Sequence, residues 1–224
     1  MRKTFAISIM TLICVIFVFQ ANAFAAMSDE DFLLLCGSGV IQQVEEAIKN
    51  GADVNARDEN GWTALIWAAG FNADPDVITA LIENGADVNE RDENRRTALM
   101  AYARFNSNPE VISVLLTNGA DINDRDENGF TPLMWAARFN SDPEIISALL
   151  TNGADINDRD ERGRTALMVA AGNNSNPEII SVLLEHGADA KLKSNEGKMA
   201  IDYARDNANL ANTNAFGKLN DLSF

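Results

Sequence analysis

Along most of the chain, short apolar blocks alternate with polar stretches, and the blocks come in pairs. Between Asp58 and Arg91 the first block is Ala64-Leu65-Ile66-Trp67-Ala68-Ala69, a short helix whose small alanines admit a close neighbour. The second places Val77, Ile78, Leu81 and Ile82 at i, i+1, i+4 and i+5, one face of a helix. Punctuation between the blocks agrees with that division. Asp58-Glu59-Asn60-Gly61 reads as a turn, with glycine supplying positive φ and Asp and Asn bonding local backbone. Thr63 is a good N-cap. Asn72-Ala73-Asp74 breaks the first helix, Asp74 can cap the second, and Pro75 fits a first helical position, where no N–H is needed. Gly85 closes the second helix in the left-handed region.

The same order returns on a fixed interval. Gly51-Ala52-Asp53-Val54-Asn55 is repeated from Gly85, from Gly119 and from Gly153, then in altered form as Gly187-Ala188-Asp189-Ala190-Lys191, each 34 residues after the last. The N-cap threonine recurs at Thr97, Thr131 and Thr165, and the capping pair as Asn108-Pro109, Asp142-Pro143 and Asn176-Pro177. One such unit cannot bury its own apolar face, so the period implies a stack in which neighbours cover one another. The expected fold is an all-α repeat, an α-solenoid with hairpin-like turn tips.

Turn, helix, loop, helix at this length, with Thr-[Ala/Pro]-Leu opening the first helix and the Gly-Ala-Asp-[Val/Ile]-Asn phrase, resembles the ankyrin repeat, over nearly all of the chain after its leader. Three departures stand out. Each unit is one residue longer, and the extra residue falls in the inter-helix loop, as in Phe105-Asn106-Ser107-Asn108-Pro109. Ile66, Met100, Met134 and Met168 replace the family histidine, which exchanges hydrogen bonding for apolar packing. Arg95 stands where Gly61, Gly129, Gly163 and Gly197 put glycine in the turn, at a cost of about 1 kcal/mol if φ is positive.

The expected organisation is a repeat domain over 26–224. An N-capping unit covers 27–57, full units cover 58–91, 92–125, 126–159 and 160–193, and a C-capping unit covers 194–224. In the N-capping unit Phe32, Leu33 and Leu35 supply a first helix, Gly37-Ser38-Gly39 a loop, and Val44, Ala47 and Ile48 the face of a second. At the other end Gly197 to Ala204 repeats a first helix with Met199 in the threonine position. Leu210, Phe216, Leu219 and Leu222 suffice for a closing helix.

Residues 1–25 read as a cleaved secretory signal peptide: Arg2 and Lys3, then an uncharged apolar run from Ile7 to Phe19, then small-x-small sites ending at Ala23 or Ala25. The run is short for a spanning anchor. The destination expected is the periplasm or the exterior, with no stable membrane insertion after cleavage. Formal net charge is −15, from 18 basic and 33 acidic residues; without Arg2 and Lys3 it becomes 16 − 33 = −17. That disfavours nucleic acid and anionic membrane surfaces. Cys36 is the single thiol after the leader, so no internal disulfide forms, and a buried inert role is expected.

Catalytic chemistry has little material. His186 is the sole histidine and sits beside a helix-ending glycine, so neither a Ser–His–Asp nor a Cys–His set can be assembled. Asp124, Asp126 and Asn128 match the start of a calcium loop, but Trp135 occupies the position of its bidentate glutamate, and the repeat turn accounts for the stretch. No cofactor, no metal and no enzyme activity are expected.

What varies between units is the private information of the chain. Trp62, Arg96, Phe130 and Arg164 precede the threonines and differ too much in chemistry to be core. Trp67 and Trp135 share a column with Ala101 and Val169. Arg104 and Arg138 lie three residues further on, on the same helical face. The resemblance implies that turn tips and first helices line a concave binding surface, and Trp and Arg dominate interface hot spots. These eight residues, Trp62, Trp67, Arg96, Arg104, Phe130, Trp135, Arg138 and Arg164, form the expected protein-binding site of a monomer, suited to an acidic or aromatic-bearing segment. Phe71, Phe105 and Phe139 either join it or stack to fill the space of the extra residue. The alternatives are an acidic scaffolding protein, or an inhibitor, immunity-type or host-directed effector on the same scaffold.

Overall fold

Two layers of helices run through the structure, first helices of successive units against one another and second helices behind them. It is a computed structural model that describes residues 27–72 and 74–223. The signal peptide expected over 1–25 lies outside the described residues. The helices are α1 (Asp29–Ser38), α2 (Ile41–Lys49), α3 (Ala64–Trp67), α4 (Pro75–Glu83), α5 (Ala98–Phe105), α6 (Pro109–Thr117), α7 (Pro132–Phe139), α8 (Pro143–Thr151), α9 (Ala166–Asn173), α10 (Pro177–Glu185), α11 (Ala200–Ala204) and α12 (Asn214–Leu222). Among the described residues there is no β-strand, only an isolated bridge between Arg57 and Thr63.

Local sequence explains each start and stop. Asp74, Asn108, Asp142 and Asn176 cap α4, α6, α8 and α10, each accepting the N–H two residues on, with proline at the first position. Thr63, Thr131 and Thr165 cap α3, α7 and α9. Gly85, Gly119, Gly153 and Gly187, the opening glycines of the repeated phrase, follow the second helices at φ near 95°. The first helices of the middle units are buried over most of their length: Ala98 to Ala103 in α5 are all buried, and Met100, Met134 and Met168 lie in the core. That is the apolar substitution expected at the family histidine. Val77, Ile78 and Leu81 fill the inner face of α4.

Two expectations need adjustment. α1 runs through Gly37 and Ser38, leaving Gly39 and Val40 between the helices of the N-capping unit. A Cβ on Gly37 would lie 3.2 Å from the Trp67 ring, so this glycine makes room for the next unit rather than a loop. In the first full unit the longer segment is taken up as a π-helical turn over Ala68–Asn72, continuous with α3.

Polar side chains tie the units together, on a register the apolar pattern does not reveal. Asn72, Asn106, Asn140, Asn174 and Asn207 each donate Nδ2 to two carbonyls of the preceding unit, at 2.6–3.0 Å. Asn106, Asn140 and Asn174 each accept, on their own carbonyl oxygen, the bond of the next asparagine in the column. Asn140, Asn174 and Asn207 are buried. A second ladder explains the last letter of the repeated phrase. Asn89, Asn123 and Asn157 accept the N–H of Asp121, Asp155 and Asp189 one unit on. Asn89 and Asn123 also donate to Gly119 and Gly153. An arginine column crosses units too: Arg57 pairs with Glu90, Arg91 with Asp124 (2.6 Å) and Arg125 with Asp158. Arg159 meets Leu192 in that acidic column and binds the Lys193 carbonyl instead.

Candidate functional site

At the head of each full unit, one carboxylate organises the turn. One oxygen of Asp58, Asp92, Asp126 or Asp160 accepts two backbone N–H groups, those of the residues two and four on, at 2.7–2.9 Å. The other oxygen is satisfied in two alternating ways. In the first and third full units, Trp67 and Trp135 donate their indole N–H to Asp58 and Asp126, both at 3.2 Å. In the second and fourth, Ala101 and Val169 stand where the tryptophan would be and offer no donor. There Arg96 and Arg164 turn onto Asp92 and Asp160, with Nε at 2.6 and 2.8 Å and ion pairs at 2.6 and 2.7 Å. The C-terminal unit repeats the theme in neutral form, Tyr203 donating to Ser194 at 3.0 Å.

Much of the variation between units is therefore internal compensation. Arg96 and Arg164 spend their charge on carboxylates whose side chains are 0% and 1% exposed. Phe130 is a correction. It is only 4% exposed and belongs to the core, beneath Arg138 and Arg164, whose guanidiniums lie 5.8 and 5.5 Å from its ring centroid. Its difference from Trp62, Arg96 and Arg164 reflects which group serves the turn carboxylate, not exposure to a ligand.

The remaining residues form an aromatic row across the first helices. Trp62 stacks on Phe71 (5.7 Å) and Phe71 on Phe105 (5.8 Å), while Trp67 meets both Trp62 and Phe71. Trp135 stacks on Phe139 at 5.3 Å. Phe71, Phe105 and Phe139 stack, yet stay 51%, 46% and 43% exposed, so filling internal space is not what they do. Arg104 bridges the two halves of the row, its guanidinium 4.5, 5.2 and 4.4 Å from the rings of Phe105, Trp135 and Phe139. Arg138 lies 4.9 Å from the same Phe139 ring.

Arg104 and Arg138 differ from the other arginines of this face. No oxygen of the described residues pairs with either guanidinium, and the Nε of Arg104 is buried without an acceptor. Burial and neighbouring arginines both lower their pKa: Arg96 and Arg138 act on Arg104, and Arg164 and Arg162 on Arg138. Because Ala101 sits between two tryptophan-bearing units, a shallow groove open to solvent runs above it. Trp62, Arg96, Arg104, Phe105 and Trp135 line its sides, with Ile66 and Met100 beneath. The geometry brings seven of the eight expected residues to this face and puts the eighth, Phe130, under it.

Elsewhere, little chemistry is on offer. Among the described residues no cluster of His, Cys, Asp and Glu is arranged to hold a metal. Asp124 is occupied by Arg91 and Asp126 by its own turn and Trp135. His186 caps α10, with Nδ1 2.9 Å from the Val182 carbonyl oxygen. Burial pushes the Cys36 thiol up to about 12. Among the described residues no helix is long and apolar enough to cross a membrane.

Comparison with family models agrees with the fold. A model of ankyrin repeats in three copies matches residues 69–160 and 133–214, and a model of ankyrin repeats in many copies matches 24–82. No curated protein matches the chain.

Proposed function

The chain belongs to the ankyrin repeat family, a protein–protein interaction module, and on that premise we propose that it is a non-enzymatic monomer that grips a partner protein on the concave side of the array. Its leader would direct it to the periplasm or beyond. The observation that carries this reading is the row of exposed Phe71, Phe105 and Phe139 stacked on Trp62 and Trp135. The row links neighbouring units through the Phe71–Phe105 stack and Arg104, but that link needs far less exposed aromatic area than Phe71, Phe105 and Phe139 present, and large aromatics are the usual anchors of an interface.

The test is affinity capture from a periplasmic extract, with the chain lacking residues 1–25 as bait. A discrete partner should be retained, and Phe71→Ser with Phe105→Ser should lose it while helical content is kept and the melting temperature falls only by the few degrees that the lost Phe71–Phe105 stack accounts for. Equal capture by the variant would move the interface off this face. A hydrolytic activity in place of a partner would sink the module reading altogether. For export, the secreted or periplasmic chain should begin at Phe24 or Ala26 on N-terminal sequencing.

A further inference from the structure

Resting on that reading, we propose that Arg104 and Arg138 are the specificity-determining residues of this face, and that the segment they select is a linear acidic stretch of the partner, whose carboxylates pair with the two guanidiniums while its backbone crosses the groove above Ala101.

The argument begins with charge accounting. On this acidic chain Arg57, Arg91, Arg96, Arg125, Arg159, Arg164 and Arg205 each reach a carboxylate or a carbonyl oxygen. Of the other described arginines, Arg95 and Arg162 stand exposed at turn tips without a side-chain partner; Arg104 and Arg138, half-buried, also reach none, although the chain has 33 acidic residues to offer. Instead they are held on aromatic faces, both against the ring of Phe139, at 4.4 and 4.9 Å. Cation–π contact fixes a guanidinium but leaves its hydrogen-bonding edge unused. The turn carboxylates of this face are already engaged, Asp92 and Asp160 by Arg96 and Arg164 and Asp126 by Trp135. Each arginine is also desolvated and repelled by its neighbours. An incoming carboxylate offsets both effects, and bidentate Arg–carboxylate pairing is strong and directional.

The chemistry of the partner follows. The negative field of the chain as a whole repels polyanions such as nucleic acid. A segment with two or three acidic residues pays that repulsion only weakly beyond a Debye length of about 8 Å at physiological salt. Apolar side chains flanking its acids would rest on Phe105 and Trp135, which line the same groove.

The probe is a random linear peptide library displayed on phage, selected on the purified chain without residues 1–25. Enriched peptides should be rich in Asp and Glu. A synthetic representative should bind in a salt-dependent manner, read by tryptophan fluorescence. Its Glu→Gln version should bind about tenfold to a hundredfold more weakly. Arg104→Gln and Arg138→Gln should each cause a loss of the same size, and Arg205→Gln, which removes a distant exposed charge, should cause none. The Glu→Gln arm leaves the protein untouched, so it decides the matter even if an arginine variant folds poorly. Enrichment of neutral or basic peptides, equal binding of the Gln version, or no enrichment over the starting library overturns the inference. Partner capture that survives alongside such a result would keep the module reading and show that the partner is recognised as a folded surface.

Discussion

Trp135 donates its indole N–H to Asp126, nine residues earlier, across 3.2 Å, and the same carboxylate holds the backbone of the turn between them. In the units before and after, an arginine four residues from the aspartate does the work of that tryptophan. Two columns that look independent in the sequence are thus coupled through one carboxylate. A large donor is present at either the turn or the helix, and the other position is free to be small or apolar.

Converting one solution into the other tests that coupling. Trp135→Val should destabilise by about 2 kcal/mol, through lost packing and an Asp126 oxygen left without its donor. Adding Phe130→Arg gives the third unit the residues of the fourth. A double-mutant cycle on urea unfolding should then show a favourable coupling of about 1 kcal/mol. Additive losses would mean that the turn carboxylate does not need the second donor.

The buried asparagine ladder should matter more than any single surface pair. Asn140 donates to the carbonyls of Ala103 and Asn106 and accepts the N–H of Asp142. Asn140→Ala leaves those buried groups unpaired, at a cost of about 2–3 kcal/mol. For a chain of this size that lowers the melting temperature by roughly 4–12 °C. Asn152→Ala, which loses one exposed bond to Ala148, should shift it by less than about 2 °C. Similar shifts for the two would show that the ladder is decoration.

Most of the fold was legible because its signals are local. The proline after each capping Asp or Asn, the glycine after each second helix and the apolar spacing all act within one unit. What stayed hidden acts between units. Asn106 reads as a loop residue until Ala69 and Gly70, 36–37 positions earlier, are seen beside it. The site was half legible for the same reason. Trp67, Arg104 and Trp135 share a face by helical arithmetic, but whether a side chain at the turn tip points out or tucks under the next unit depends on that unit, and Phe130 tucks under Arg164. The exchange of Arg96/Ala101 for Trp62/Trp67 was a readable clue: donors swap between columns in step.

Alkaline pH should weaken the N-terminal end. Burial raises the Cys36 thiol from 9.0 to about 12, and burial raises the fully enclosed Tyr102 hydroxyl as well. A group whose folded pKa is raised stabilises fully below its unfolded pKa, and that contribution is lost as pH climbs to the folded value. For Cys36 the window is pH 9 to 12. Stability should be flat from neutrality to about pH 8.5 and then fall. In Cys36→Ala the fall should be shallower, by up to about 1.4 kcal/mol per pH unit. In the folded chain Cys36 should resist a thiol reagent at pH 8 and react only on unfolding. Fast labelling of the native protein would contradict its burial.

The second full unit carries a conformational debt that one substitution should remove. Arg95 sits at φ 61°, where the equivalent Gly61, Gly129, Gly163 and Gly197 have φ between 70° and 77°. A residue with a Cβ is disfavoured there by about 1 kcal/mol, whereas glycine adopts the region freely. The Arg95 side chain is exposed and forms no hydrogen bond among the described residues, so nothing visible offsets that cost. Two residues on, Thr97 departs from Thr63, Thr131 and Thr165: its hydroxyl is buried without a partner, and it does not cap α5. Arg95→Gly should therefore raise the melting temperature by about 2–4 °C, less whatever glycine gives back in unfolded-state entropy. Calorimetry of the wild-type and variant chains decides it. A lower melting temperature would mean that the arginine stabilises the turn in a way the backbone geometry does not show, while an unchanged one with weakened partner capture would place Arg95 at the edge of the binding face.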